Sequence, residues 1–129
     1  MRIFKTKGFS RFTAKETITD QALIRAVKEL EENRFDADLG GGVFKQRIAR
    51  TGGGKSGGYR AIICFQKGDL SFFVYGFAKS DRANITLADK KDLKKLAKYL
   101  LALTSQQLEK EQDAGRLEEL EVNDYGQNL

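Results

Sequence analysis

Residues Thr51 to Phe65 read TGGGKSGGYRAIICF, and the reading of this stretch decides the fold. Five of the ten residues from Thr51 to Arg60 are glycine, with Lys55 and Arg60 set among them. Glycine lets a backbone turn sharply and lets a bulky ligand come close. The two cations add fixed positive charge beside that bare backbone, so the segment suits a phosphate-bearing ligand, either a nucleotide or a nucleic-acid strand. Ala49 to Ser56 ends in the Gly-Lys-Ser of a nucleotide-binding P-loop, with Ala49 where the first glycine usually stands. A P-loop needs a buried strand before it and a helix after it, because the helix N-terminus helps hold the phosphates. Here two more glycines follow, then Tyr59-Arg60-Ala61-Ile62-Ile63-Cys64-Phe65, a β-branched and aromatic run that predicts a strand. The preceding run, Val43 to Arg50, carries Lys45, Arg47 and Arg50 and is too charged for a buried central strand. The sequence therefore predicts strand, glycine loop, strand.

Outward from this centre, Gln66-Lys67-Gly68-Asp69 reads as a turn and Leu70 to Ala78 as the next strand, so three strands form an antiparallel meander. Upstream, Arg2 to Lys5 predicts a short strand, Ser10 caps a short helix through Glu16, and Thr19 caps a longer one over Asp20 to Asn33. Ile18 and Leu23 flank that cap as a hydrophobic staple, and Leu23, Ile24, Val27 and Leu30 recur at helical spacing. Asp36 to Gly42, DADLGGG, reads as a loop. Downstream, Thr86 with Asp89 forms a capping box for a helix over Leu87 to Leu103, whose leucines mark it as core. Thr104 with Gln107 opens a further short helix that Gly115 ends, and Leu117 to Val122 adds a strand or lies extended. The order predicts an α+β fold, a small antiparallel sheet with N-terminal helices and a C-terminal helical segment.

At 129 residues the chain is long enough for one domain with a real core, to which nine phenylalanines contribute. We divide it at Thr104 into a main body, residues 1–104, and an acidic extension, residues 105–129, packed on or trailing the same domain. The extension has two basic and seven acidic residues, net −5, which leaves twenty-one basic against eleven acidic in the body, net +10. A body that basic points to a polyanionic partner. The extension suits either a solvated segment or a cover for the basic face in the absence of RNA. No apolar run approaches the roughly 20 residues of a membrane helix, and the opening MRIFKTKGF lacks the apolar stretch of a signal peptide. The single Cys64 gives neither a disulfide framework nor a metal cluster and fits a small buried core residue, so a cytoplasmic protein without a membrane partner is expected. There is no histidine, which removes the commonest acid–base group and a common zinc ligand. Any catalysis rests on lysine, arginine, tyrosine or carboxylates, and no metal site or cofactor is expected.

Strand alternation sorts the charges. Lys45 and Arg47 share one face of their strand, Arg60 shares a face with Ile62 and Cys64, and Tyr59 with Ala61, Ile63 and Phe65 takes the other. Lys79 and Arg82 follow the end of the third strand. On a curved sheet these cations converge, as phosphodiester cleavage requires. Cations stabilise the extra charge of a pentacovalent phosphorane, and one group must accept the 2′-hydroxyl proton. A lysine crowded by other cations has a lowered pKa and suits that task. Tyrosine can stack on a base or pass a proton.

GKSGGYR with its apolar strand, followed by FFVYGFAKSDRANIT and a lysine- and leucine-rich helix, resembles the RelE/ParE toxin superfamily, and most of all the HigB-like branch of RelE-type toxins. The similarity runs from Arg2 to about Leu103. It implies an α+β fold and cleavage of mRNA, usually on the ribosome and without a metal, by attack of the 2′-hydroxyl on the neighbouring phosphate to leave a cyclic phosphate. It also implies a cognate antitoxin, commonly a helix-turn-helix protein. By position, Arg60 matches the family arginine that contacts the scissile phosphate, Lys45 and Arg47 match the basic pair on the preceding strand, and Lys79 and Arg82 fall in the basic segment after the sheet. Ser80 stands where well-studied members place a phosphate-binding arginine, and Thr86 near a stacking tyrosine, for which Tyr75 or Tyr59 would compensate.

The sequence thus predicts a toxin that cleaves mRNA on the ribosome. Arg60, Lys45, Arg47, Lys79 and Arg82 form its catalytic group, and Lys55, Arg50, Tyr59 and Tyr75 bind RNA. Two other classes compete: a ParE-like gyrase inhibitor without nuclease activity, and a basic RNA-binding module without catalysis, for which Ser80 and Thr86 are the motive.

Overall fold

The structure, a computed structural model, describes residues 1–49, 58–78 and 87–121. These form six strands and four helices: β1 (Arg2–Thr6), α1 (Lys7–Glu16), α2 (Asp20–Glu31), β2 (Ala37–Gly40), β3 (Val43–Ile48), β4 (Tyr59–Gln66), β5 (Leu70–Ala78), α3 (Leu87–Leu101), α4 (Ser105–Asp113) and β6 (Leu117–Glu119). The strands build one sheet in the order β2-β3-β4-β5-β1-β6. β3 and β4 pair antiparallel from Val43↔Cys64 to Ile48↔Tyr59. The glycine segment therefore joins two antiparallel neighbours, not a strand to a helix, and the P-loop reading falls.

The α+β class holds, but the sheet is mixed rather than an antiparallel meander alone. β1 inserts between β5 and β6 and runs parallel to β5. A parallel neighbour needs a long crossover, and everything from α1 to β4 supplies it. DADLGGG is not only a loop. Ala37 to Gly40 pairs with β3, and the two-residue turn Gly41-Gly42 has φ of +63° and +84°, the positive values that a tight hairpin of this twist requires. Thr6, not Ser10, caps α1: its hydroxyl accepts from the Phe9 N–H at 3.3 Å, while the Ser10 hydroxyl donates to Glu118 at 3.1 Å. Thr19 caps α2, and Thr104 with Gln107 forms the reciprocal box of α4, as read.

Helices cover both faces of the sheet. α1 and α2 bury Phe9, Leu23, Val27 and Leu30 against Ile63 and Phe73. The opposite face gathers Phe4, Ile62 and Phe72 with Ala97 and Leu100 of α3 and Leu108 of α4. The expectation that the leucines of α3 are core is only partly met. Ala97, Leu100 and Leu103 are buried and Leu93 packs against them, whereas Leu96 stays 37% exposed.

The last segment is woven into the sheet. β6 pairs with β1, Glu119 takes a two-pronged contact from Arg2 at 2.8 and 2.9 Å, and Glu118 lies 3.8 Å from the buried Lys5, which also meets Asp20 at 3.4 Å.

Candidate nucleic-acid interface

The register brings the cations of β3 and β4 together on the α3 side of the sheet. Lys45 stands opposite Ile62 and Arg47 directly opposite Arg60. The Arg47 N–H donates to the Gln46 side chain at 2.9 Å instead of crossing to β4, so Arg47 and Arg60 form the kind of pair in which opposed side chains stand closest. Like charges directly opposite one another destabilise a sheet. The fold keeps two guanidiniums in that relation.

Asp36 offsets part of this repulsion, and sequence reading missed it. One carboxylate oxygen, Oδ2, accepts from Arg60 Nε at 3.2 Å and lies 3.6 Å from Lys45 Nζ. The Asp36 N–H donates to the Lys45 carbonyl at 3.0 Å, so the hairpin register sets the carboxylate between the two cations. The Arg60 side chain is only 14% exposed, and its Nη1 donates to the Tyr59 carbonyl at 3.4 Å, which fixes the guanidinium further. Among the described residues Arg47 makes no ion pair and is exposed. The signal for Asp36 was in the sequence: a glycine turn at Gly41-Gly42 folds residues 36–40 back along β3.

A β-bulge completes this face. The register of β4 and β5 shifts between Ile62 and Ile63, so that Ile62 opposes Tyr75 while Ile63 opposes Phe73, leaving Val74 as the extra residue. The shift turns Tyr75 and Phe77 to the side of Arg60, with Phe77 directly opposite Arg60. Their rings lie 5.8 Å apart, and Tyr75 is 52% exposed. An aromatic pair beside cations is the surface that stacks and neutralises a single strand. Bulges of this kind recur next to functional sites, where they re-aim side chains. Phe77 was not among the residues singled out from the sequence, although its two-residue spacing from Tyr75 was visible.

Tyr59 does not join them. It lies on the opposite face, 5% exposed, with its hydroxyl donating to Glu16 at 2.9 Å and its ring edge-on to Phe12. The expectation that it binds RNA is corrected: Ile48↔Tyr59 pairing places its ring in the α1–α2 core. Arg50, Lys55, Lys79 and Arg82, together with Ser80 and Thr86, lie outside the described residues. Cys64 is fully buried, and burial pushes its thiol up to about 12, which makes it inert at neutral pH. Among the described residues no group of three metal-ligating side chains is placed to hold an ion.

The acidic extension does not screen this face as far as it is described. β6 and β3 are four strands apart in the sheet, about 19 Å at the usual strand spacing. Glu118 and Glu119 are engaged at the far edge by Lys5 and Arg2.

The sheet, covered by helices on both faces, thus carries paired arginines, a lysine and the Tyr75–Phe77 ring pair on one face. The family model of the RelE toxin of the RelE/RelB toxin–antitoxin system matches residues 1–120, and the chain belongs to this family. It is a toxin of a toxin–antitoxin pair and has an antitoxin partner. No curated protein matches it. Among the described residues no helix is long and apolar enough to cross a membrane.

Proposed function

We propose that this toxin is a metal-independent endoribonuclease that cleaves mRNA on the ribosome, as RelE-type toxins of the HigB-like branch do. The observation that carries the reading is the cross-strand pair Arg47–Arg60 with Lys45 beside it and Tyr75 and Phe77 on the same face. A sheet tolerates opposed guanidiniums at a cost, and an anionic ligand reverses the sign of that cost.

In this reading the scissile phosphate takes the position between Arg60 and Arg47. The 2′-oxygen of the preceding ribose attacks phosphorus, the bond to the 5′-oxygen breaks, and the products carry a 2′,3′-cyclic phosphate and a 5′-hydroxyl. Arg60 and Arg47 stabilise the phosphorane charge. Arginine keeps its proton throughout, so neither is the base. Lys45 is the general base among the described residues, and Lys79 and Arg82 complete the cationic group from the segment after β5. Tyr75 and Phe77 receive the bases, and Arg50 and Lys55 the flanking phosphates. The partners are mRNA, the ribosome and a helix-turn-helix antitoxin, and the compartment is the cytoplasm.

Purified protein added to ribosomes programmed with a defined mRNA tests this. Cleavage with cyclic-phosphate ends by the wild type, reduced on the order of 100-fold or more in Arg60→Ala as for loss of one transition-state donor, is the expected result. Intact mRNA in both reactions contradicts it.

A further inference from the structure

The cationic face does not stop at the sheet. Beside the edge of β3 lies a cleft of about 370 Å³, between that edge and α2. Its wall includes Arg47 and Arg60 of the site, and also Arg25 of α2 and Arg34 of the α2–β2 connection, which belong to no site described above. Four arginines thus line one cavity whose only acidic lining residue is Glu29, with Arg60 paired to Asp36 and Arg34 to Glu32 outside it. Arg25 makes no ion pair among the described residues, and Arg34 meets only Glu32. Phe35, 40% exposed, and Asn33 also line the cleft.

We propose that this cleft is a second nucleotide subsite, which holds one nucleotide of single-stranded RNA adjoining the scissile phosphate. The proposal rests on the ribonuclease reading above. Arg25 and Arg34 take the phosphate, and Phe35 and Asn33 offer a ring and an amide to the base. The volume sits at the low end of small-ligand clefts, roughly 300–1,000 Å³, which suits one nucleotide and excludes a duplex. Continuity decides the occupant: Arg47 and Arg60 line both the site and the cleft, so a strand held at Arg60 enters the cleft without leaving positive charge. Gln46 is spent on structure. Its amide donates to the carbonyls of Ala26 and Arg34 at 3.1 and 2.8 Å, which ties α2 and the Arg34 backbone to the strand edge and keeps the cleft walls together.

The test uses the full chain and RNA blocked by 2′-O-methyl groups, a trinucleotide and a hexanucleotide, with binding measured across a salt series. Arg25→Ala/Arg34→Ala removes two exposed side chains and leaves the core untouched, which a thermal melt checks. The expected result is that the double variant loses on the order of tenfold for the hexanucleotide and for the trinucleotide, which already carries the nucleotide next to the scissile phosphate, and has a salt slope shallower by about 0.7, the loss of one neutralised phosphate on a single strand. Equal hexanucleotide affinity and slope in wild type and double variant, with affinity lost in Arg60→Ala, overturns the subsite and leaves the ribonuclease reading standing. A poly-glutamate peptide that binds the wild type and not the double variant, with RNA affinity unchanged, assigns the cleft to acidic protein and also overturns it. No binding of either RNA by the wild type overturns the subsite, and cleavage on programmed ribosomes then decides the ribonuclease reading by itself.

Discussion

Asp36 is the residue that most directly tests the chemistry proposed for the site. It holds Arg60 and Lys45 in one geometry, yet its charge opposes any phosphate that arrives there. These two effects act on different steps, so Asp36→Ala separates them. RNA binds more tightly, because a like charge has gone. Cleavage falls by on the order of tenfold, because Arg60 loses the carboxylate that orients it, and misplacement costs catalysis heavily. Single-turnover cleavage on programmed ribosomes, together with binding of blocked RNA, reads both numbers. Weaker binding with an unchanged cleavage rate contradicts the assignment. Cys64 makes a second prediction at this scale. Its thiol ionises only near 12 in the fold, well above an ordinary thiol. The fold therefore keeps the proton that the unfolded chain gives up first. Stability from this group is complete below about pH 8.5 and is lost as pH rises towards 12, by up to about 1.4 kcal/mol per unit. Denaturant melts of wild type and Cys64→Ala should show a shallower alkaline decline in the variant. Parallel declines from pH 8 to 10.5 contradict it.

Among elements, β5 carries the most information and was the hardest to read. Its bounds, Leu70 to Ala78, follow from composition, and so do α2, the hairpin with β4 and the Thr104 box. What strict alternation cannot give is the extra residue at Val74, because a bulge is decided by how two sheet faces pack and not by the strand's own pattern. Without it, Tyr75 and Phe77 would share a face with Phe73. With it they join Arg60. Tyr59 was put on the correct face, opposite Arg60, and only its role was misread: a tyrosine in an apolar strand is as well suited to a core as to a base, and Glu16, which accepts its hydroxyl, lies 43 residues away in sequence. The parallel entry of β1 was equally invisible, since a five-residue strand pattern says nothing about its neighbours. Gly76 tests the packing on the reverse side of β5. A Cβ there would meet the Phe12 ring at 2.4 Å and the Phe9 ring at 3.0 Å. Gly76→Ala should destabilise by about 1–3 kcal/mol, as overpacking does, by pushing α1 off the sheet. A melting temperature equal to the wild type's would show that α1 does not sit where it is described.

At the scale of the whole molecule, charge separates along the sheet. Glu118 and Glu119 are engaged by Lys5 and Arg2 at the β1–β6 edge, and four arginines come together at the open end of β3, in the site and in the cleft beside it. The net charges of body and extension, legible in composition, anticipated this division but not its geometry. The extension was expected to pack on or trail the same domain, with a short helix and a strand, and its described part supplies both to the fold. The claim that ties these scales together is that the cationic sheet face cleaves mRNA under translation. The most direct measurement is 5′-end mapping of cellular mRNA after brief induction of the wild type and Arg60→Ala side by side. New ends within translated regions, at codon boundaries and with the wild type only, are the predicted result. Growth arrest with intact mRNA and accumulating DNA damage would contradict the account and move the target to gyrase.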